Sequence, residues 1–309
     1  MSSVTQPLAV PRAGIAGLAR EYATLTKARV TTLIVMTAWA GAYFAAAKSA
    51  EALLSWTLLN ALIGIGLVSG GTAAINEVVE RDVDALMRRT SRRPLVTGSL
   101  GLVHASVVAF GMTIGGVLYL WATTNWLTAA LAALTSISYL AVYTPMKRVH
   151  PICTFLGAFP GAMPPVLGWT AIRGRLDGEA LVLFAIVFFW QFPHFHSIAW
   201  LYREDYENAR IRMLPVVESD GRSTAFAIVM YALALVPVSL APTLLGMSGW
   251  TYFAGALVLG VGMLWFSVRM WTMKLAPAAA QSKRRARHVL QASVIYLPLL
   301  FALMMINRA

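Results

Sequence analysis

Hydrophobic residues gather into long runs along this chain, separated by short polar stretches. The runs cover about 29–47, 54–76, 102–121, 125–143, 152–171, 179–201, 224–244, 250–271 and 288–306. Crossing the hydrocarbon core of a bilayer takes roughly 20 apolar residues in a helix. The pattern therefore predicts an all-α membrane protein with about nine transmembrane helices around a central cavity. The narrowest gap falls between Trp121 and Asn125. Were that pair of runs a single helix, every later segment would change sides.

The polar stretches choose between these arrangements. With the N-terminus cytoplasmic, the inner segments are 1–29, 77–101, 144–151, 202–223 and 272–287, and they carry most of the Lys and Arg. The outer segments hold only Lys48, Arg173, Arg175 and Arg308. This asymmetry follows the rule that cytoplasmic loops are rich in positive charge. It requires the split near residue 125 and places the C-terminus outside.

Composition agrees. Hydrophobic residues make up 58% of the 309 and charged residues only 12%, about half the charged share of a soluble chain. The net charge of +12 does not point to nucleic acid, because the basic residues sit in short loops between helices, where they set topology and face lipid headgroups or phosphate. The single cysteine, Cys153, excludes an internal disulfide and reads as a small packing residue. Residues 1–20 lack an apolar core of signal-peptide length, which favours a bacterial inner membrane over an organelle. The expected organisation is a cytoplasmic segment, 1–23, and one transmembrane domain, 24–309.

The informative polar residues lie on the cytoplasmic side. Asn76, Glu80 and Asp84 stand four apart where the second run ends, and Arg81, Arg88, Arg89, Arg92 and Arg93 follow. On a continuous helix these three would share a face. Eight residues of helix span about 12 Å, so one ion cannot bridge Asn76 and Asp84. Asn76 with Glu80 suits one Mg²⁺, and Asp84 suits a second ion or a water-mediated contact. Guanidinium groups nearby suit a phosphate. The competing reading is a solvated helix end with intrahelical pairs. Carboxylates at a membrane edge are costly, which weighs toward function.

Three further clusters stand out. Tyr143 is followed by Lys147 and Arg148, either a phosphate grip or a topology anchor with an interfacial tyrosine. In the sixth run Gln191, Pro193, His194 and His196 form a polar patch among aromatics. Either histidine is a candidate haem-iron ligand, acid–base group or orienting group, and their spacing puts them on different helix faces. Arg203 and Asp205, with Arg210 and Arg212, lie in the next inner loop and suit a diphosphate clamp. Glu204 and Glu207 read as solvated neighbours. Gly157, Pro160, Gly161, Pro164, Pro165 and Gly168 crowd the fifth run, predicting a bent helix that lines a cavity in preference to simple close packing.

These residues resemble those of a known group. Asn76, Glu77, Glu80 and Asp84 follow the Asn-acid-x-x-acid-x-x-x-Asp pattern of the UbiA superfamily of intramembrane prenyltransferases. Tyr143 with Lys147 matches its Tyr-x-x-x-Lys element. Arg89-Thr90-x-x-Arg93-Pro94-Leu95, Pro193-His194-Phe195, Tyr202-Arg203-x-Asp205-Tyr206 and Met213-Leu214-Pro215-Val216 are similar to the branch that farnesylates protohaem. The similarity runs from about residue 24 to the end.

The resemblance implies farnesyl diphosphate as donor, haem B as acceptor and Mg²⁺ as the metal, held by Asn76, Glu80 and Asp84. Those three, with Tyr143, Lys147, His194 and His196, become the expected catalytic set. Arg81, Arg88, Arg89, Arg93, Arg148, Arg203 and Asp205 become the expected diphosphate site. The implied surroundings are membrane lipid and a downstream haem-modifying enzyme or oxidase assembly factors, with the active face cytoplasmic. Superfamily members carry a second acidic motif at the end of the sixth span; here His194 and His196 occupy that region. A transporter of an ion or haem-like substrate, or a prenyltransferase acting on another ring, is the alternative.

Overall fold

The computed structural model describes residues 14–46, 55–273 and 276–308, and all helices, contacts and absences below concern these residues. Residues 1–13 of the expected N-terminal segment, the loop between the first two runs with Lys48, and Lys274 lie outside them.

The chain is helical throughout. A short helix α1 (Ile15–Leu25) precedes α2 (Ala28–Ala45), α3 (Trp56–Val79), α4 (Leu102–Thr123), α5 (Trp126–Met146), α6 (Cys153–Arg173), α7 (Gly178–Leu201), α8 (Arg222–Leu244), α9 (Trp250–Trp271) and α10 (Ala280–Ile306). The eight from α3 to α10 are long and apolar enough to cross a membrane. The remaining predicted run is α2, an 18-residue helix that carries Arg29 near its start. The only extended pairing among the described residues is an isolated bridge between Ser248 and Arg308.

Local chemistry sets the breaks. Asn125 separates α4 from α5: its side chain accepts the Thr128 amide at 2.9 Å and donates to the Thr170 carbonyl of α6 at 2.9 Å. One side-chain oxygen thus caps a new helix, and the expected split is present. In α5 the segment Ser138–Tyr143 widens to a π-helical turn just before Pro145. Pro145 has no N–H to give the preceding turn. The Thr144 hydroxyl takes up the Tyr139 carbonyl at 2.9 Å. The extra residue in that turn changes which way Tyr143 and Lys147 face.

The fifth predicted span bends at Met163, between Cys153–Ala162 and Pro164–Arg173. The bend was expected; the cavity-lining role was not met in its second half, where every residue from Pro164 to Ala171 is buried. The reason is glycine. Gly168 lies against the Ala38 carbonyl, and Gly41 against the backbone of Pro165. Backbones this close leave no room for a Cβ, so α2 and the end of α6 pack as a small-residue pair.

Two packed regions result. One apolar core joins α7 to α10 with parts of α2 and α6, and includes Phe192, Ile228, Tyr252, Met263 and Tyr296. A second set of clusters joins α1 to α6 around Leu25, Ile65, Ala109 and Leu120. A smaller cluster bridges the two at one end of the molecule, with Val83, Met87, Cys153, Tyr206 and Met213. The charged residues that the sequence singled out collect at that end.

Candidate active site

Helix α3 does not run through to Asp84. It stops at Glu80, whose backbone leaves the helical region (φ −100°, ψ 9°), and a new turn covers Arg81–Asp84. The expectation of one continuous helical face therefore fails, and the break divides the acidic group. Asn76, Glu77, Glu80 and Asp84 are nonetheless all buried, with exposures of 2%, 1%, 7% and 2%. Burial of this degree excludes a solvated helix end.

Each of the three expected ligand residues meets a cation or a donor. Lys147 Nζ lies 2.7 Å from Glu80 Oε2. The Asn76 amide donates to the same Glu80 oxygen at 2.9 Å and to Thr144 Oγ1 at 3.2 Å. Arg93 Nη1 reaches Asp84 Oδ2 at 2.5 Å, and its Nε lies 3.3 Å from Glu77 Oε1. Lys27 Nζ donates to Asn76 Oδ1 at 3.2 Å. Buried charges need such partners. Burial, and then the nearby Arg93, pull the Lys27 ammonium down to about 8.

The arrangement leaves oxygens to spare. Neither carboxylate oxygen of Glu77 has a hydrogen-bond partner, although both are fully enclosed. Glu80 Oε1 and Asp84 Oδ1 take no part in the contacts above. Glu77 Oε1 has only the ionic contact with Arg93, and Oε2 has no partner at all. An enclosed, oxygen-rich set with such spare carboxylate oxygens is the chemistry a hard divalent cation requires, so Mg²⁺ fits these residues. No cluster of three or more His, Cys, Asp and Glu in metal-binding geometry is present among the described residues. The set depends on an asparagine and on acids now held by cations.

Beside this buried group lies an open cleft of about 630 Å³, lined by Arg88, Arg89, Ser91, Arg92, Leu201, Tyr202, Glu204 and Asp205. Arg89 packs over the Tyr202 and Tyr206 rings, 5.1 and 5.5 Å from their centres, and donates to the Tyr206 hydroxyl at 3.2 Å. Arg203 reaches the Glu218 carbonyl at 3.4 Å, while its enclosed Nε has no partner. Lys147 sits 5.0 Å from the centre of the Tyr143 ring. Arg81 and Arg148 are exposed and join none of these contacts. Glu204 is exposed and pairs with Lys283 at 2.9 Å, which holds its carboxyl below the usual range.

The histidines stand apart from the acids. His194 bonds Ser293 of α10 through Nδ1 at 2.9 Å and stacks on Trp190, 4.8 Å between ring centres. His196 is buried, edge-on to Phe192, on another face of α7. Sequence reasoning left out Glu77, Lys27, Thr144 and Tyr206 as site members. Glu77 had a signal in the acidic pattern. Lys27 had none, because it lies 49 residues before its partner and looked like one more topology charge.

The sequence profile of the UbiA prenyltransferase family matches residues 34–304. The chain belongs to that family. It is 68% identical over 308 residues to a protoheme IX farnesyltransferase from Koribacter versatilis (strain Ellin345), covering 100% of this chain and 99% of the relative. It is 48% identical over 295 residues to a protoheme IX farnesyltransferase from Solibacter usitatus (strain Ellin6076), covering 94% and 99%. Among solved structures the fold matches a digeranylgeranylglyceryl phosphate synthase with a TM-score of 0.76 at 14% identity, over 94% of this chain and 98% of that one. It also matches a UbiA homologue from Archaeoglobus fulgidus bound to GPP and Mg²⁺, with a TM-score of 0.63 at 15% identity, over 92% and 99%. At such identities the structures speak for the fold of this multi-pass membrane enzyme.

Proposed function

We propose that this protein transfers a farnesyl group from farnesyl diphosphate to a vinyl group of haem B, with addition of water, giving haem O and diphosphate. The observation that carries the proposal is end-to-end identity of 68% with a protoheme IX farnesyltransferase. The buried acids beside an arginine-lined cleft supply a matching chemistry. In the same reading residues 24–309 act as one unit spanning a bacterial inner membrane nine times, with the arginine-rich end cytoplasmic.

The allylic C–O bond breaks with both electrons leaving on the diphosphate, and a delocalised carbocation remains. Stabilising the leaving charge is the main catalytic task. Mg²⁺, held by Asn76, Glu80 and Asp84, would neutralise part of that charge. Arg88, Arg89, Arg93, Lys147 and Arg203 would take the rest through charge-assisted hydrogen bonds. Phenylalanines of α6 and α7, such as Phe155, Phe159, Phe184 and Phe188 with ring centres 5.0–6.3 Å apart, offer the isoprenoid a wall that keeps water from the cation. The vinyl π-electrons then attack the cation. Water captures the new centre and releases a proton. His194 and His196 stand on α7, on the acceptor side in this reading.

The test incubates purified protein with haem B, Mg²⁺ and farnesyl diphosphate and weighs the porphyrin. The expected product is haem B plus one farnesyl group and one hydroxyl. Unmodified haem, with farnesyl diphosphate intact, would overturn the proposal. His194→Ala should disturb the absorbance of bound haem more than it disturbs farnesyl diphosphate binding.

A further inference from the structure

Lys27 stands at a costly place. It is the residue before α2, with φ 47° and ψ 49°, the left-handed region that side chains other than glycine rarely adopt. It also stands between two helices, where the negative end of α1 offsets the positive end of α2. The strained backbone that remains calls for a compensating contact. The one hydrogen bond of the Lys27 ammonium is to Asn76 Oδ1, at 3.2 Å.

That oxygen matters. Asn76 Nδ2 is committed to Glu80 and Thr144, so Oδ1 is the only atom of the side chain able to bind a metal. The same pattern holds at the other two residues: Lys147 occupies an oxygen of Glu80, and Arg93 one of Asp84. Three cations thus sit on three oxygen-bearing side chains. Lys147 and Arg93 belong to the motifs of the chain; Lys27 belongs to none of them.

We infer that Lys27 is a displaceable counter-ion of the metal site: it holds Asn76 Oδ1 when no metal is bound, yields that oxygen to the incoming divalent cation, and swings its ammonium onto the diphosphate the cation brings. The inference rests on the metal-dependent prenyl transfer proposed above. Its physical basis is charge exchange. A cation within a few ångströms opposes the entry of a second cation and favours the entry of an anion. Lys27 therefore acts with opposite sign on the two ligands. A merely structural lysine would not.

The test uses the full chain in detergent or nanodiscs, with Mn²⁺ as a paramagnetic stand-in for Mg²⁺ and inorganic diphosphate as the anion. Lys27→Gly removes the ammonium and suits the left-handed backbone. It should bind Mn²⁺ alone about tenfold more tightly than the wild type, read by electron paramagnetic resonance. In the presence of Mn²⁺ it should bind diphosphate about tenfold more weakly. Lys27→Arg should move both affinities back toward the wild type. If Lys27→Gly does not fold, Lys27→Asn, which tolerates the same backbone, carries the same comparison. Both affinities unchanged, or both weakened, would overturn the role of Lys27 while leaving the metal site standing. A wild type that binds no Mn²⁺ would overturn the metal site and the inference together.

Discussion

Two groups of ion pairs sit at opposite ends of the helix bundle. At the end of α3, Glu77, Glu80 and Asp84 meet Arg93 and Lys147, with acid side chains 1–9% exposed. At the far end of α6, Asp177 meets Arg173 at 3.4 Å and Arg175 at 2.8 Å, and takes a hydrogen bond from the Trp169 indole at 3.0 Å. There the arginines are 38% and 66% exposed. The pairing looks alike; the energetics differ. Exposed pairs are screened by water and salt and contribute little. Enclosed pairs are costly to create and costlier to break. A chain keeps a cluster of the second kind where it needs charge in a dry place, and the enclosed, unpartnered Glu77 Oε2 marks that need. The far group reads as an anchor for a loop.

The contrast is easiest to break at Arg93, which serves both Glu77 and Asp84. Arg93→Leu leaves two enclosed carboxylates without their cation and should cost about 3–5 kcal/mol, read by thermal unfolding in detergent. Next comes chemistry. Asp84→Ala or Asn76→Ala should lower turnover by about a hundredfold while the protein stays folded in the membrane, measured as haem O formed per enzyme; full turnover in both would remove the metal claim. A neutral buried contact gives the intermediate case. The fully buried Tyr252 hydroxyl donates to the Ser239 carbonyl at 2.7 Å, and Tyr252→Phe should cost about 1 kcal/mol with unchanged turnover.

The smallest effect belongs to the far group. Asp177→Asn should change stability by less than about 1 kcal/mol. Burial alone would raise the Asp177 carboxyl, but the Trp169 hydrogen bond and the charges of Arg175 and Arg173 outweigh it and hold the group below its usual range. A depressed folded value means that the stabilisation is present above the ordinary carboxylate range and fades as pH falls below it. The small stability difference between the wild type and Asp177→Asn should therefore be present at neutral pH, vanish at low pH, and shrink with added salt.

Much of this contrast was legible in residue order. The apolar runs matched the helices within a few residues except at the last, where the helix starts at Ala280, eight residues before the run at 288, because its first two turns carry the basic residues of the preceding loop. Asn125 split α4 from α5 as the charge asymmetry demanded. The spacing of Asn76, Glu80 and Asp84 marked one end of the bundle. The break at Glu80 was not legible: no proline or glycine stands there, and the Glu80 side chain is held by Lys147, 67 residues away in sequence. The second half of α6 misled for the opposite reason. Its prolines suggested a hollow, but whether a proline-bent helix opens a cavity or fills one depends on the neighbour, here Gly41 of α2.

By itself the sequence determined that the chain crosses a membrane many times, which way its loops divide by charge, and which family its motifs join. These follow from transfer energies and side-chain chemistry that act residue by residue. Only the tertiary structure decided which cation meets which side-chain oxygen: Lys27 that of Asn76, Lys147 that of Glu80, Arg93 that of Asp84. Electrostatic attraction depends on distance in space and on the exclusion of water, and neither quantity exists until the helices have packed.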